Sequence, residues 1–180
     1  MSSTSSAVRA VDCATSTAGA SPELFKAGMR QIASTVSIIT TVLDGRRSGL
    51  TATAVCSVCA DPPTLLVCVN QDSGTFAALR EAGVFCVNVL ASAHADAAMR
   101  FSDGALKGEQ KFEGDSWITS AGGLPVLEGA LASFECRTVS LTEVGTHGLF
   151  LAQVSDVTVT GGAHPLLYFN RALAGLQMQE

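Results

Sequence analysis

Short runs of period two, separated by connections of only a few residues, constrain this chain more than any other feature. Val36 to Leu43 is rich in β-branched residues and runs into Asp44-Gly45, a dipeptide suited to a two-residue hairpin turn. Ser48 to Val58 and Thr64 to Asn70 follow, divided by Asp61-Pro62-Pro63. Val84 to Leu90 is another such run. Leu131 to Val144 and Leu149 to Thr160 alternate around Gly145-Thr146-His147-Gly148, and Pro165 to Phe169 closes the series. A parallel crossover needs roughly a dozen residues or more, and most of these connections are shorter. The pattern therefore predicts about six strands in a mainly β, antiparallel split barrel of Greek-key type, whose closure removes exposed edges.

Helical spacing is confined to the periphery. Ser21-Pro22-Glu23 offers an N-cap, a first-turn proline and an acid at the positive helix end, and Leu24, Phe25, Met29 and Ile32 continue the period to about Ser34. Phe76, Leu79 and Arg80 mark a second helix that Gly83 can end, and Ser92 to Phe101 a third. Residues 102 to 130 carry many Gly, Lys and Glu and read as a long exposed loop. Residues 1 to 20 are Ser/Thr/Ala-rich without a period and read as a disordered tail, leaving 21 to 180 as one domain without internal repeats. Arg9 is the tail's single basic residue, too few for a transit peptide.

Composition bounds the partners. The chain has 180 residues, 47% hydrophobic and 15% charged, with mean hydropathy +0.35, which points to further burial in an oligomer. No apolar run approaches the roughly 20 residues of a membrane helix. The net charge of −5 leaves no basic stripe for nucleic acid. Cys13, Cys56, Cys59, Cys68, Cys86 and Cys136 lie mostly in apolar runs with no secretory signal before them. They read as small buried hydrophobes in a reducing cytoplasm.

Several motifs are absent: no G-x-G-x-x-G, no Walker A loop, no G-x-S-x-G elbow and no H-E-x-x-H. Cys56-Ser57-Val58-Cys59 matches C-x-x-C, but it lies in a β-patterned run and leads into Pro-Pro, not into a helix. No metal role is assigned to it. Of the histidines, His94 reads as an exposed helix residue and His164 as part of a turn, while Trp117 is either a mobile cover or a packing anchor. His147 lies in a glycine-flanked loop.

The stretch Gly49 to Pro63 is dense in Thr, Ser and Ala, so a flat heteroaromatic ring could lie against its backbone and pair with peptide groups. Asn70 to Thr75 opens a helix whose free N–H groups suit a phosphate, and Arg100 could add a cation. Taken with Phe25 to Ser34, Ser37 to Thr41, Asp61-Pro62-Pro63, Gly83 to Leu90, Gly123-Leu124-Pro125, Leu127 to Leu131, Glu135-Cys136, Gly145-Thr146-His147 and Pro165 to Tyr168, this chain resembles the short-chain flavin reductases. These are the reductase components of two-component aromatic and chlorophenol monooxygenases.

The resemblance implies a homodimeric split barrel that takes FAD, or FMN, with NADH or NADPH as hydride donor. It hands diffusible reduced flavin to a monooxygenase in aromatic-compound degradation. By position it implies that Arg47, Ser48, Gly49, Leu50, Thr51, Thr53 and Ala54 hold the isoalloxazine ring. Cys68, Val69 and Asn70 would line the ribityl chain and ring edge, and Ser73, Gly74, Thr75, Arg100 and Phe101 the phosphate end. His147, Tyr168, Phe169, Asn170 and Arg171 fall on the NADH side, with His147 as the candidate catalytic or positioning group. The family often has Gly-Asp-His where this chain has Gly145-Thr146-His147, and a Gly soon after the last aromatic strand where this chain has Asn170-Arg171. Two other readings stay open on the residues alone: a flavin carrier or sensor without turnover, and a flavoprotein of the pyridoxamine-phosphate-oxidase type.

Overall fold

Asp44 and Gly45 both adopt positive φ, 49° and 74°, and Leu43 faces Arg46 across them. This is the mirror-image turn whose twist matches a β-hairpin, and Asp-Gly tolerates it best. The computed structural model describes residues 9–10 and 19–176. In chain order the elements begin with β1 (Arg9–Ala10), α1 (Pro22–Met29), β2 (Ser34–Thr35), β3 (Ser37–Leu43), β4 (Arg46–Ala52), β5 (Val55–Ala60) and β6 (Pro63–Asn70). Then come α2 (Phe76–Ala82), β7 (Val84–Val89) and α3 (Ala95–Ser102), followed by β8 (Trp117–Thr119) and β9 (Pro125–Leu127). The long hairpin β10 (Ala132–Val144) and β11 (His147–Val159) leads to β12 (Leu166–Phe169) and β13 (Ala172–Gly175).

The main sheet runs in the order β4-β3-β7-β10-β11-β6-β5, every neighbour antiparallel, with β1 added in parallel to β10. Apart from that two-residue bridge and residues 19–20, the expected disordered tail lies outside the described residues. The sheet is rolled, because one core cluster draws on strands from both ends of this path. Ile39 and Ala52 from β3 and β4 meet Leu65, Val67 and Val69 from β6, around Phe76, Phe85 and Phe150. Phe76 and Phe85 each meet Phe150 edge-on, at 5.6 and 6.3 Å. The fold is the expected antiparallel split barrel.

Central β3 is covered on both faces. Ile39 enters the first cluster, while Ile38 packs with Leu90, Ala98, Phe101 and Phe112 in a second. Among the buried polar side chains of these strands, with Thr40 and Thr41, Asn88 is fully engaged. Its amide donates to the Ile38 carbonyl and Thr40 Oγ1, and its oxygen accepts from Leu127 N–H and the Ser133 hydroxyl.

Several sequence expectations need correction. The first helix stops at Met29 because Ser34 and Thr35 pair with Tyr168 and Leu167, and β pairing overrides the helical period. None of its residues is buried; Leu24, Phe25 and Met29, with Ile32 beyond it, are exposed. Residues 102 to 130 are not a plain exposed loop. They hold a 3-10 turn at Gly108–Phe112, the β8–β9 pair, and buried Phe112, Leu124, Val126 and Leu127. Trp117 is a packing anchor, 5.3 Å from the Phe101 ring and 4.9 Å from that of Phe112. The closing segment is a hairpin, β12–β13, where a single strand and a tail were expected.

The cysteines also divide. Cys86 and Cys136 are buried and Cys68 half-buried, but Cys56 and Cys59 are exposed, since β5 ends the sheet and a register shift lies between Ser57 and Cys59. Cys13 lies outside the described residues. His94 is half-buried: its Nδ1 accepts the Ala91 N–H at 3.2 Å, so it fixes a turn.

Candidate active site

A groove of about 600 Å³ opens where β4, the end of β6, the end of α3 and the 104–111 segment converge. One wall is the small-residue stretch: Ser48, Gly49, Leu50 and Thr51, continuing through Thr53 and Ala54. Cys68, Val69 and Asn70 adjoin it, the Cys68 N–H donating to the Ala54 carbonyl at 3.0 Å, and the turn Asp72 to Thr75 also lines the groove. Phe101 and His147 complete the residues expected here from sequence.

Gly49 is required at its position. A Cβ there would stand 2.5 Å from the Phe101 ring and 3.0 Å from the Ile39 carbonyl. Its own carbonyl accepts from Thr75 Oγ1 at 2.9 Å and from Lys111 Nζ at 3.4 Å, and Lys111 also donates to the Phe101 carbonyl at 2.9 Å. Thr51 donates to the Ala98 carbonyl at 2.6 Å. The Thr51 and Thr75 hydroxyls are therefore committed to holding the walls together.

The anion end differs from expectation. The amides of Asp72, Ser73, Thr75 and Phe76 are taken by Asn70 and Ser73. Arg100 does not line the groove; its guanidinium pairs with Asp115. Arg47 likewise turns out of it, pairing with Glu109 and stacking 4.3 Å over Phe112. That pairing holds the Glu109 carboxyl below its usual range. The cations that do line the groove are Lys107 and Lys111, which the sequence reading missed. Lys107 Nζ lies 3.8 Å from where a Gly74 Cβ would stand. Burial, and then repulsion from Lys107, pull the Lys111 ammonium below its ordinary value. An anionic ligand would offset that repulsion.

His147 begins β11 opposite Asn70. Its Nδ1 sits 2.9 Å from the Thr146 hydroxyl, and Gln71 fixes the loop through the Gly145 and His147 carbonyls. Tyr168 and Arg171 line a second hollow of about 380 Å³ that shares Thr51, Thr53 and Ser102 with the main groove. Phe169 and Asn170 are exposed on the same hairpin and line neither cavity.

A rolled antiparallel barrel with a polar groove and a paired-lysine end defines a cofactor-binding split barrel. The chain belongs to the family described as flavin reductase like domain, whose model matches residues 29–177. FMN reductase (NADH) RutF of Ancylobacter novellus is 42% identical over 158 residues, covering 86% of this chain and 87% of that protein. NADH:FAD oxidoreductase SgcE6 of Streptomyces globisporus, solved with NAD and FAD fragments, matches with TM-score 0.79 and 26% identity over 85% of this chain and 91% of its own. BorF, the flavin reductase component of a bacterial two-component tryptophan halogenase, matches with TM-score 0.81 and 27% identity over 88% and 100%.

Proposed function

We propose that this chain is an NADH-dependent flavin reductase that takes FMN, and FAD through the same ring and ribityl contacts, and releases the reduced flavin to a partner oxygenase. One observation carries the reading. A single groove gathers every residue expected to touch flavin except Arg47 and Arg100, and it supplies Lys107 and Lys111 in place of Arg100. Its volume of about 600 Å³ lies inside the roughly 300–1,000 Å³ of small-molecule and cofactor sites. FMN is favoured by the 42% identity to an FMN reductase, against 26% to an FAD-dependent relative.

Flavin held in this groove would supply the redox chemistry of hydride transfer from NADH. The protein's share is placement. The backbone of Ser48 to Ala54 would lie along the ring edge, and Lys107 and Lys111 would hold the phosphate. His147 is assigned a positioning role toward the donor, with Thr146 fixing its Nδ1 side. The adjoining hollow, with Tyr168 and Arg171, gives the donor room beside Thr51 and Thr53. No side chain need act as nucleophile.

The proposal extends to a homodimer, to a cytoplasmic setting, and to an oxygenase that acts on an aromatic compound as the recipient. Exposed apolar residues on α1 and β5 support the first, and free thiols at Cys56 and Cys59 the second. Among the described residues no helix is long and apolar enough to cross a membrane.

Steady-state NADH oxidation with catalytic protein and excess FMN, FAD or riboflavin tests the reading. Turnover with free flavin, fastest with FMN, is expected. Flavin binding without NADH loss would establish a carrier instead, and turnover that requires a pyridoxine-type substrate would establish an oxidase.

A further inference from the structure

Lys107 reaches the groove from the head of the exposed 3-10 turn, its Nζ 3.8 Å from where a Gly74 Cβ would stand. No carboxylate forms an ion pair with it among the described residues. A lysine so placed has a flexible stem on a mobile base, and both cost affinity unless the base is held. The turn is closed on itself: the Lys107 N–H donates to Gln110 Oε1 at 3.0 Å, and the Gln110 N–H donates to the Lys107 carbonyl at 3.2 Å. Strand β4 then grips it at alternate residues. The Gly49 carbonyl accepts from Lys111 Nζ, and Arg47 engages Glu109. The Glu109 carboxylate accepts from Arg47 Nε at 3.1 and 2.9 Å, from Nη2, and from the Arg47 backbone N–H at 3.4 Å. Phe112, at the end of the same turn, lies 4.3 Å beneath the guanidinium. The two side chains are 36% and 61% exposed, and an ion pair so exposed adds little stability. Its closely fitted geometry suits another use, which is to fix the turn beside the groove.

We propose that Glu109, acting through Arg47, is a positioning residue for the flavin phosphate: it anchors the turn on β4 so that Lys107 stands over the Ser73-Gly74 end of the groove. This rests on the proposed flavin site and deepens it. The anchor acts through the cation alone, so it favours flavins that carry a phosphate and leaves riboflavin, which lacks one, unaffected.

Removing Glu109 by itself would add net positive charge near the phosphate. The test is therefore the charge-neutral pair Arg47→Gln/Glu109→Gln, with Glu109→Asp as the conservative variant and flavin fluorescence as the readout. The double variant should bind FMN about three- to fivefold more weakly and riboflavin as the parent does. Glu109→Asp should keep most of the FMN affinity. Beside Lys107→Ala the pair of substitutions should cost nothing further, since no cation is left to place. In the flavin-free double variant the Gln110 amide should exchange faster with solvent, while the melting temperature stays within about 3 °C of the parent. Equal losses for FMN and riboflavin would make the pair a general support or a ring contact, and would overturn the inference. Unchanged FMN binding, an unchanged Gln110 exchange rate, or a further loss beside Lys107→Ala would overturn it as well, with the flavin site left standing. A parent protein that binds neither flavin would remove the flavin site itself, and the inference with it.

Discussion

Gly49 is the residue on which the groove closes most tightly. Adding one methyl forces either the Phe101 ring or the Ile39 carbonyl to move, and Phe101 is already packed on Phe112 and Trp117. Gly49→Ala should therefore lose about 1–3 kcal/mol of stability in urea titrations and weaken FMN binding together with it. A full-strength site in that variant would show that Phe101 yields freely. The dense small residues of β4 were legible in sequence, because they stand adjacent in the chain. The anion end was not. Lys107 and Lys111 arrive through a segment with no clear period, and Arg100 is withdrawn by Asp115, fifteen residues later.

Residue chemistry also sets a pH dependence. Burial, then the Glu135 carboxylate, raise the Cys136 thiol from 9.0 to about 12, and burial raises buried Cys86 as well. In the unfolded chain these thiols ionise near 9, so the unfolded state sheds protons first. Their stabilising contribution is complete below pH 9 and is lost as pH climbs toward 12. Lys111 acts in the opposite sense: its depressed value costs stability at neutral pH, and that cost is relieved as pH rises toward 10.5. Two fully buried thiols outweigh one half-exposed ammonium. The denaturant midpoint should fall as pH climbs above about 9 in reducing buffer. Cys136→Ala should flatten that fall, and a level profile in the parent would contradict the assignment.

At the scale of elements, the β8–β9 pair is tied to the barrel through Asn88, which accepts from Leu127 N–H, while Thr40 donates to the Pro125 carbonyl. Sequence showed β7 as a strand, and an asparagine within it gave no sign of a partner forty residues away. Only the rolled sheet brings them together. Asn88→Leu would leave the buried Leu127 amide and Ser133 hydroxyl without their acceptor. A loss of about 3 kcal/mol or more is expected as a lower urea midpoint at unchanged m-value. Hydrogen exchange at Leu127 should rise with it. An Asn88→Leu protein of parental stability would remove this tie from the account. The β3–β4 and β10–β11 hairpins were legible, since Asp44-Gly45 and Gly145 carry the positive φ their turns need.

For the whole molecule, the apolar composition is only partly absorbed by one chain. Leu24 and Phe25 on α1, Val58 on β5 and Val159 at the end of β11 stand open, at 72%, 62%, 52% and 73% exposure. Surfaces of this kind mark association, and a second copy is the proposed cover. Sedimentation should show a particle of twice the 18.5 kDa chain mass, and Val58→Glu should shift it toward the monomer. A monomeric parent would leave those surfaces to another partner. The groove's assignment as a flavin site is the claim that the rest of the account depends on. A titration of oxidised FMN with the purified protein, read by flavin fluorescence, tests it most directly. Saturable one-to-one binding is expected. It should weaken about tenfold for Lys107→Ala and equally for riboflavin, which lacks the phosphate. A parent protein that leaves FMN fluorescence unchanged, or binds riboflavin and FMN alike with Lys107 indifferent, would contradict it.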